Sequence, residues 1–174
     1  MATLIDRLAT ARPVAKPIAA DATERVLAYA ALGLLAAVLV ALARGAGEWG
    51  RVPPLIWAHL LTIVVALSLT PVILLRRRGD RRHRTLGTAW VAAMIATAAT
   101  SLFVHASGPG RFSPIHILSA WTLIQVPIIW WSARTHRVAR HRGSVRGMVI
   151  GALLIAGAFT FPFDRLLGHW LFAG

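Results

Sequence analysis

The sequence predicts an all-α integral membrane protein, a helical bundle of five transmembrane helices that contains a duplicated helical hairpin. The chain has 174 residues, and 57% of them are hydrophobic. They are concentrated in runs too long for the core of a soluble domain of this size. A bilayer core requires about 20 apolar residues in a helix, because lipid provides no partners for backbone N–H and C=O groups. Arginine-rich turns separate the runs, and the second part of the chain repeats one pattern twice.

Five segments are predicted to span the membrane: residues 26–43, 55–75, 86–105, 115–133 and 145–163. Asp21 or Thr23 is expected to cap the first helix. Residues 1–24 form a polar segment that is predicted to be cytoplasmic, and residues 25–174 form a single membrane domain. The tail after the fifth span is too short to cross the bilayer again, so it is predicted to lie at the membrane interface.

The duplicated hairpin comprises the second and third spans and then the fourth and fifth spans. The two copies read WAHLLTIVVALSLTPVILLRRRGDRRHRTLG and IHILSAWTLIQVPIIWWSARTHRVARHRGSVRG. Each copy opens with a histidine (His59 or His116), continues with an apolar run that holds one proline, and carries a second histidine (His83 or His141) beyond a basic turn. The two histidines are 24 residues apart in the first copy and 25 apart in the second.

Charge predicts the orientation. The chain has 19 Lys and Arg against 6 Asp and Glu. The basic residues cluster after the second and fourth spans, so the positive-inside rule places the N-terminus in the cytoplasm and the C-terminus outside. This explanation is simpler than nucleic acid binding, which we do not expect. The excess of arginine over lysine and the many alanines are typical of a GC-rich bacterial gene, and a bacterial inner (plasma) membrane is predicted. The expected partners are the lipid bilayer, anionic lipid headgroups at the basic loops, and other membrane subunits.

The paired histidines point to haem. Two facing imidazoles are the arrangement that a bis-histidine haem b requires. The repeat predicts His59 with His116 as haem iron ligands near the outer face, and His83 with His141 near the inner face. His105 is an alternative outer ligand. The arginines expected to pair with haem propionates are Arg51 or Arg111 outside and Arg81, Arg84 and Arg142 inside.

Simpler interpretations stay open beside the haem hypothesis. A histidine at the end of a span is often an interfacial residue that bonds a loop carbonyl or a lipid headgroup. Another metal, or proton chemistry, is a further alternative for the four histidines. The absence of cysteine excludes thiolate metal sites and disulfides. No catalytic motif is found, so a classical enzyme is not expected. Thr70 and Gln125, polar groups deep in the spans, are predicted to hydrogen-bond between helices.

Two resemblances add to this interpretation. The strings HLLTIVVALSLTPVILLRRRGDRRHRTLG, FSPIHILSAWTLIQVPI and ARHRGSVRGMVIGALLIAGAFTFPFDRLLG resemble a bacterial family of small predicted multi-pass membrane proteins, a domain of unknown function, which implies a membrane fold and no activity. The architecture of the repeat, a four-helix core with facing histidine pairs, resembles that of the ascorbate-reducible cytochrome b group, which implies two haems in that core.

Two functions follow from these observations. The first is b-type haem electron transfer between the membrane faces. The second is a non-catalytic accessory or structural subunit of a larger membrane complex. A pathway for a small molecule or a lipid between the hairpins is a third and weaker hypothesis.

Overall fold

The structure of the protein is a computed structural model that describes residues 19–104, 114–162 and 165–172. Within these ranges the chain is helical, with turns and no strand, which confirms the all-α class. The elements are α1 (Ala22–Arg44), a 3-10 segment (Gly45–Arg51), α2 (Pro54–Leu75), α3 (Arg81–Ser101), α4 (Pro114–Arg134), α5 (Val138–Met148), a π segment (Val149–Ile155), α6 (Ala156–Ala158) and α7 (Leu166–Phe172). The predictions for His105 and Arg111 lie outside the described residues.

A capping box fixes the start of α1. The Asp21 side chain accepts a hydrogen bond from the Glu24 N–H at 3.0 Å, and the Glu24 carboxylate accepts one from the Asp21 N–H at 3.1 Å. The two bonds satisfy backbone donors that the first helical turn leaves without partners. Of the two predicted caps, Asp21 is therefore the one used, and α1 begins four residues before the predicted span.

The first hairpin consists of α2 and α3. Pro54 opens α2, where its missing N–H costs nothing, and Pro71 lies inside the same helix. In the turn that follows, Gly79 has a φ of 87°, a left-handed conformation that favours glycine. Asp80 then caps α3 by accepting a hydrogen bond from the His83 N–H at 2.6 Å. The turn chemistry thus fixes where His83 stands, in the first turn of α3.

The second hairpin follows the same plan. α4 contains Pro127 and ends at a tight turn in which His136 has a φ of 55°. α5, the π segment and α6 follow one another directly along the chain, with no residue between them. The two hairpins therefore place a histidine near the start of each helix and one proline inside each first helix, as the repeat in the sequence predicts.

The helices form a closed ring. Each of α1 to α5 packs on the next in chain order, and the π segment returns to α1 and closes the ring. Glu24 at the start of α1 pairs with Arg78 and Arg142, so the start of α1, the α2–α3 turn (76–80) and the α4–α5 turn (135–137) meet at one end. We call this the arginine end. The leading helix is thus part of the ring, between the two hairpins.

Two helical stretches are long and apolar enough to cross a membrane, Ala22–Arg51 and Pro54–Leu75. Only 28% and 33% of the residues in their most apolar windows are buried inside the protein. Large apolar side chains also face outward on both hairpins, including Leu61 (66% exposed), Ile117 (68%) and Trp131 (63%). An exposed apolar surface of this kind is typical of a site that contacts a membrane or another protein.

The C-terminal helix α7 packs on α1 at the end opposite the arginine end. The Trp170 indole N–H donates to the Glu48 carboxylate at 2.9 Å, and the Trp170 ring covers Gly45 so closely that a side chain there would overlap it. Gly168 approaches the Phe161 carbonyl in the same way. The tail predicted to lie at the interface is therefore tied to the first helix by specific contacts.

Replacing Gly168 by alanine should destabilise the fold by about 1–3 kcal/mol, because the added methyl group would overlap backbone atoms, which cannot rotate away. The measurement is the thermal unfolding midpoint in detergent. Gly47→Ala is the matched control, since nothing lies within 4 Å of its added Cβ. Equal midpoints for the two variants would contradict the packing of α7.

Candidate functional site

A cavity of about 350 Å³ lies at the arginine end, lined by α2, α3, α4, α5 and Glu24 of α1. Its lining is apolar deeper in the bundle, where Trp90, Ile129 and Val149 contribute. His83 and Trp90 are seven residues apart on α3, so the apolar part lies about 10 Å further along that helix. The cationic lining residues are Arg84, Arg134, Arg142 and Arg146. The arginine-end cavity is therefore amphipathic, cationic towards the helix ends and apolar within.

Both inner histidines line this cavity. The His141 Nδ1 lies 3.1 Å from the Ile129 carbonyl. A carbonyl only accepts, so Nδ1 carries the proton and Nε2 is left as a lone-pair donor to a ligand. The His83 Nδ1 is buried and has no hydrogen-bond partner in the described part of the chain. The structure thus brings together the predicted pair His83 and His141.

The surroundings favour the neutral form of both rings. Burial lowers the pKa of His83, and the nearby His141, Arg78 and Arg76 lower it further, while Asp80 raises it. Burial also lowers the pKa of His141, against the hydrogen bond to the Ile129 carbonyl, which raises it. Neutral imidazole is the form that binds a metal ion.

These lowered pKa values make stability depend on pH. A histidine whose pKa is lower in the folded state than its ordinary value of 6.5 binds fewer protons in the folded protein than in the unfolded chain. Its contribution to the free energy of unfolding is therefore complete above pH 6.5 and is lost as the pH drops below that value. We expect the unfolding midpoint of the ligand-free protein to fall between about pH 7 and about pH 5. The His141→Gln variant should show a flatter profile, whereas the exposed His169→Gln control should keep the wild-type profile. Parallel profiles for all three proteins would contradict the assignment.

A buried ionic cluster borders the cavity. Glu24 is only 1% exposed, and its carboxylate accepts from Arg142 at 2.6 Å, from Arg146 at 3.0 Å and from Arg78. Asp21 binds Arg142 at 2.7 Å and also contacts Arg146. The cluster joins α1, the α2–α3 turn and α5. Arg142, predicted to meet a propionate, is thus already engaged by two carboxylates.

The other two cationic lining residues are placed differently. Arg84 and Arg134 make no ion pair with a carboxylate within the described ranges. The Arg134 guanidinium lies 4.4 Å above the Trp130 ring, a cation–π contact that holds it beside the cavity. Arg84 is among the arginines that the sequence predicts as partners of a haem propionate. Arg134 is not among them, although the sequence places it in the basic turn after the fourth span.

In the described part of the chain the outer pair has different surroundings from the inner pair. His59 lines a second cavity of about 70 Å³, the outer pocket, and His116 is not among its lining residues. This volume is a fifth of that of the arginine-end cavity and lies below the range of about 300–1,000 Å³ that is typical of cofactor pockets. The cavity beside His59 does not supply the space for an outer haem, and the pairing of His59 with His116 stays a prediction.

Of the two polar residues predicted to join helices, Thr70 does so. The Trp90 indole N–H donates to the Thr70 hydroxyl at 2.9 Å, across the interface between α2 and α3. No such bond is found for Gln125 within the described residues. The Thr70 bond satisfies a Trp90 N–H that would otherwise be buried without a partner in the cavity wall.

Comparison with known proteins does not extend these observations. No protein family, curated protein or solved structure matches the chain. Among the described residues no group of three or more His, Cys, Asp or Glu side chains is placed to hold a metal ion. A bis-histidine haem needs only two protein ligands, so the pair His83 and His141 is the relevant geometry.

Proposed function

We propose that this chain is an integral membrane protein that binds one haem b in the arginine-end cavity, between His83 and His141, and serves in electron transfer. One observation carries the proposal: two histidines from α3 and α5 line the same amphipathic cavity. Its volume of about 350 Å³ falls within the range of about 300–1,000 Å³ of pockets for cofactor-sized ligands. When bound, haem supplies one-electron chemistry.

Several side chains would hold the haem, each in a different way. His83 and His141 would hold the iron, and the Ile129 carbonyl orients the His141 ring so that Nε2 is available. Trp90 and Val149 offer the apolar surface that a macrocycle would require. Arg84 and Arg134 lie where carboxylate groups of the ligand would need cations. The neighbouring ionic cluster keeps α1 and α5 in place around the cavity.

The membrane arrangement is part of the same proposal. We infer five spans, a cytoplasmic arginine end, a cytoplasmic N-terminus and an external C-terminus, in a bacterial inner membrane. Two strongly apolar helices and the outward-facing apolar side chains support a bilayer environment. The orientation rests on the segregation of charge, because both arginine-rich turns lie at one end of the ring and short loops follow the positive-inside rule best.

An absorption spectrum of the detergent-purified protein tests the proposal, recorded before and after dithionite, with haem supplied during expression. The expected result is a sharp Soret band that shifts on reduction, a resolved α band, and one haem per chain. Folded, monodisperse protein with a clean spectrum would refute it. That outcome would favour the alternative, a non-catalytic accessory subunit whose exposed apolar helix faces contact other membrane subunits, and co-purification would then identify the complex.

A haem between α3 and α5 corresponds to one of the two positions that the ascorbate-reducible cytochrome b group implies. Transfer of electrons across the whole membrane would require a second site near His59 and His116. We therefore place the proposed electron transfer at the arginine end alone.

A further inference from the structure

The arginine-end cavity opens between the two hairpins. Its lining residues on α1, α2 and the π segment are buried or half-buried. The exposed lining residues belong to the start of α3, the end of α4 and the turn after it: Arg84, Thr88, Ala133, Arg134 and His136. We call this opening the lateral mouth. In the proposed membrane arrangement it lies at the level of the cytoplasmic headgroups, because α3 begins and α4 ends there.

The cations at the lateral mouth suit an anionic headgroup. The Arg134 guanidinium lies 4.4 Å above the Trp130 ring, and arginine and tryptophan are side chains that favour the membrane interface. Arg84 and Arg134 make no ion pair with a carboxylate within the described ranges. Both guanidinium groups are therefore available to an anionic ligand.

The charges around the cavity do not balance. Four arginines line it against one carboxylate, that of Glu24. With Asp21 and Arg78, which complete the ionic cluster, the count is five guanidinium groups against two carboxylates. The Arg146 Nε is also buried and has no hydrogen-bond partner in the part of the chain that the structure describes. Because an arginine N–H only donates, the site is short of anionic acceptors.

The deeper wall of the cavity favours an amphiphile over a free anion. Trp90, Ile129 and Val149 are buried residues that give the cavity an apolar wall beyond the arginines. An aliphatic chain laid against this wall removes apolar surface from water, whereas a simple anion leaves the wall uncovered. Basic pockets between transmembrane helices on the cytoplasmic side are typical sites for anionic lipid headgroups.

We propose that the arginine-end cavity binds one anionic phospholipid when it holds no haem, with the phosphate at Arg84 and Arg134 and part of one acyl chain along the apolar wall. The rest of the lipid lies in the bilayer, outside the lateral mouth. Haem would need the same cations and the same wall, so the lipid and haem exclude each other. This competition rests on the proposed function, whereas the binding of the lipid rests only on the membrane arrangement.

Native mass spectrometry of the ligand-free protein in detergent tests lipid binding. The probe is an equal mixture of phosphatidylglycerol and phosphatidylcholine with the same acyl chains, which differ in net charge. We expect one phosphatidylglycerol per chain and a preference of about 10-fold over phosphatidylcholine. Arg84→Gln/Arg134→Gln should remove this preference. The matched control, Arg82→Gln/Arg140→Gln, should keep it, because it removes the same charge from exposed arginines of α3 and α5 that do not line the cavity.

Three results would overturn the proposal. Equal retention of the two lipids by the wild-type protein would show that no site selects the anionic headgroup. An equal loss of the preference in both double variants would show unspecific attraction to the basic loops. Displacement of the lipid by inorganic phosphate would assign the site to a free anion.

Haem titration read at the Soret band, with either phospholipid present, tests the competition. Phosphatidylglycerol should raise the haem concentration at half-saturation several-fold over phosphatidylcholine in the wild type, and Arg84→Gln/Arg134→Gln should abolish this difference. Haem affinity that is equal in the two lipids would overturn the competition. If phosphatidylglycerol is retained and no haem binds, the proposed function fails and the lipid site stands, so the two failures are distinguishable.

Discussion

Substitution of either His83 or His141 by alanine should abolish the bis-histidine haem spectrum, with a loss of haem affinity of about 100-fold or more. Losing a ligand should cost at least as much as losing a group that merely orients one, which lowers metal affinity by about 10–100-fold. The loss should be the same in either variant, because one iron needs both rings. The measurement is haem titration of the purified ligand-free variants, read at the Soret band.

Three further variants separate ligation from folding. His83→Met should retain haem and raise its reduction potential, since a thioether replaces one imidazole as axial ligand. His59→Ala and His116→Ala should leave the spectrum unchanged, because the outer pocket has no room for a second porphyrin. A haem lost in His59→Ala but kept in His141→Ala would reverse the assignment of the site.

The Glu24→Gln substitution should destabilise the protein by about 3–5 kcal/mol, the largest stability effect that we expect from a single polar change. Removing the carboxylate takes the most buried partner from three guanidinium groups that are 17–26% exposed, although Asp21 still contacts two of them. Here the carboxylate of a residue that is 1% exposed holds Arg78, Arg142 and Arg146. The measurement is the free energy of unfolding in detergent with increasing denaturant.

Arg76→Gln is the control for this experiment. Arg76 pairs with Asp80 at 2.9 Å, but the side chains are 30% and 39% exposed, and surface pairs contribute about 0–1 kcal/mol. The double variant Glu24→Gln/Arg142→Gln should lose less than the sum of its single variants, because it removes both members of one pair. Additive losses would contradict direct coupling between Glu24 and Arg142.

Features that depend on neighbours in sequence could be predicted. The five apolar runs give the positions of helices, and Asp80 three residues before His83 gives a cap. The repeat gives two similar hairpins, and the short turns bring both arginine clusters to one end. These follow because helix length, capping and turn chemistry are decided by residues within a few positions of each other.

Features that depend on side chains from distant helices could not be predicted. Glu24 looks like an N-terminal helix residue in the sequence, and nothing local shows that it binds Arg142, 118 residues away. The difference between the two histidine pairs has the same origin. His59 and His116 occupy corresponding positions in the two copies of the repeat, and so do His83 and His141. Packing nevertheless leaves a cavity of about 350 Å³ beside His83 and His141 and one of about 70 Å³ beside His59.

The distance in sequence between Glu24 and Arg142 also sets an order of events during biosynthesis. The first helix emerges from the ribosome long before the partners of its carboxylate on α5. At about 5–20 residues per second, the intervening 118 residues take roughly 6–24 s to synthesise. During that interval Glu24 can contact Arg78 but neither Arg142 nor Arg146, and the ring of helices is open. Closure is therefore a late step of assembly, and a chain that stops before α5 lacks two of the three arginines that contact Glu24.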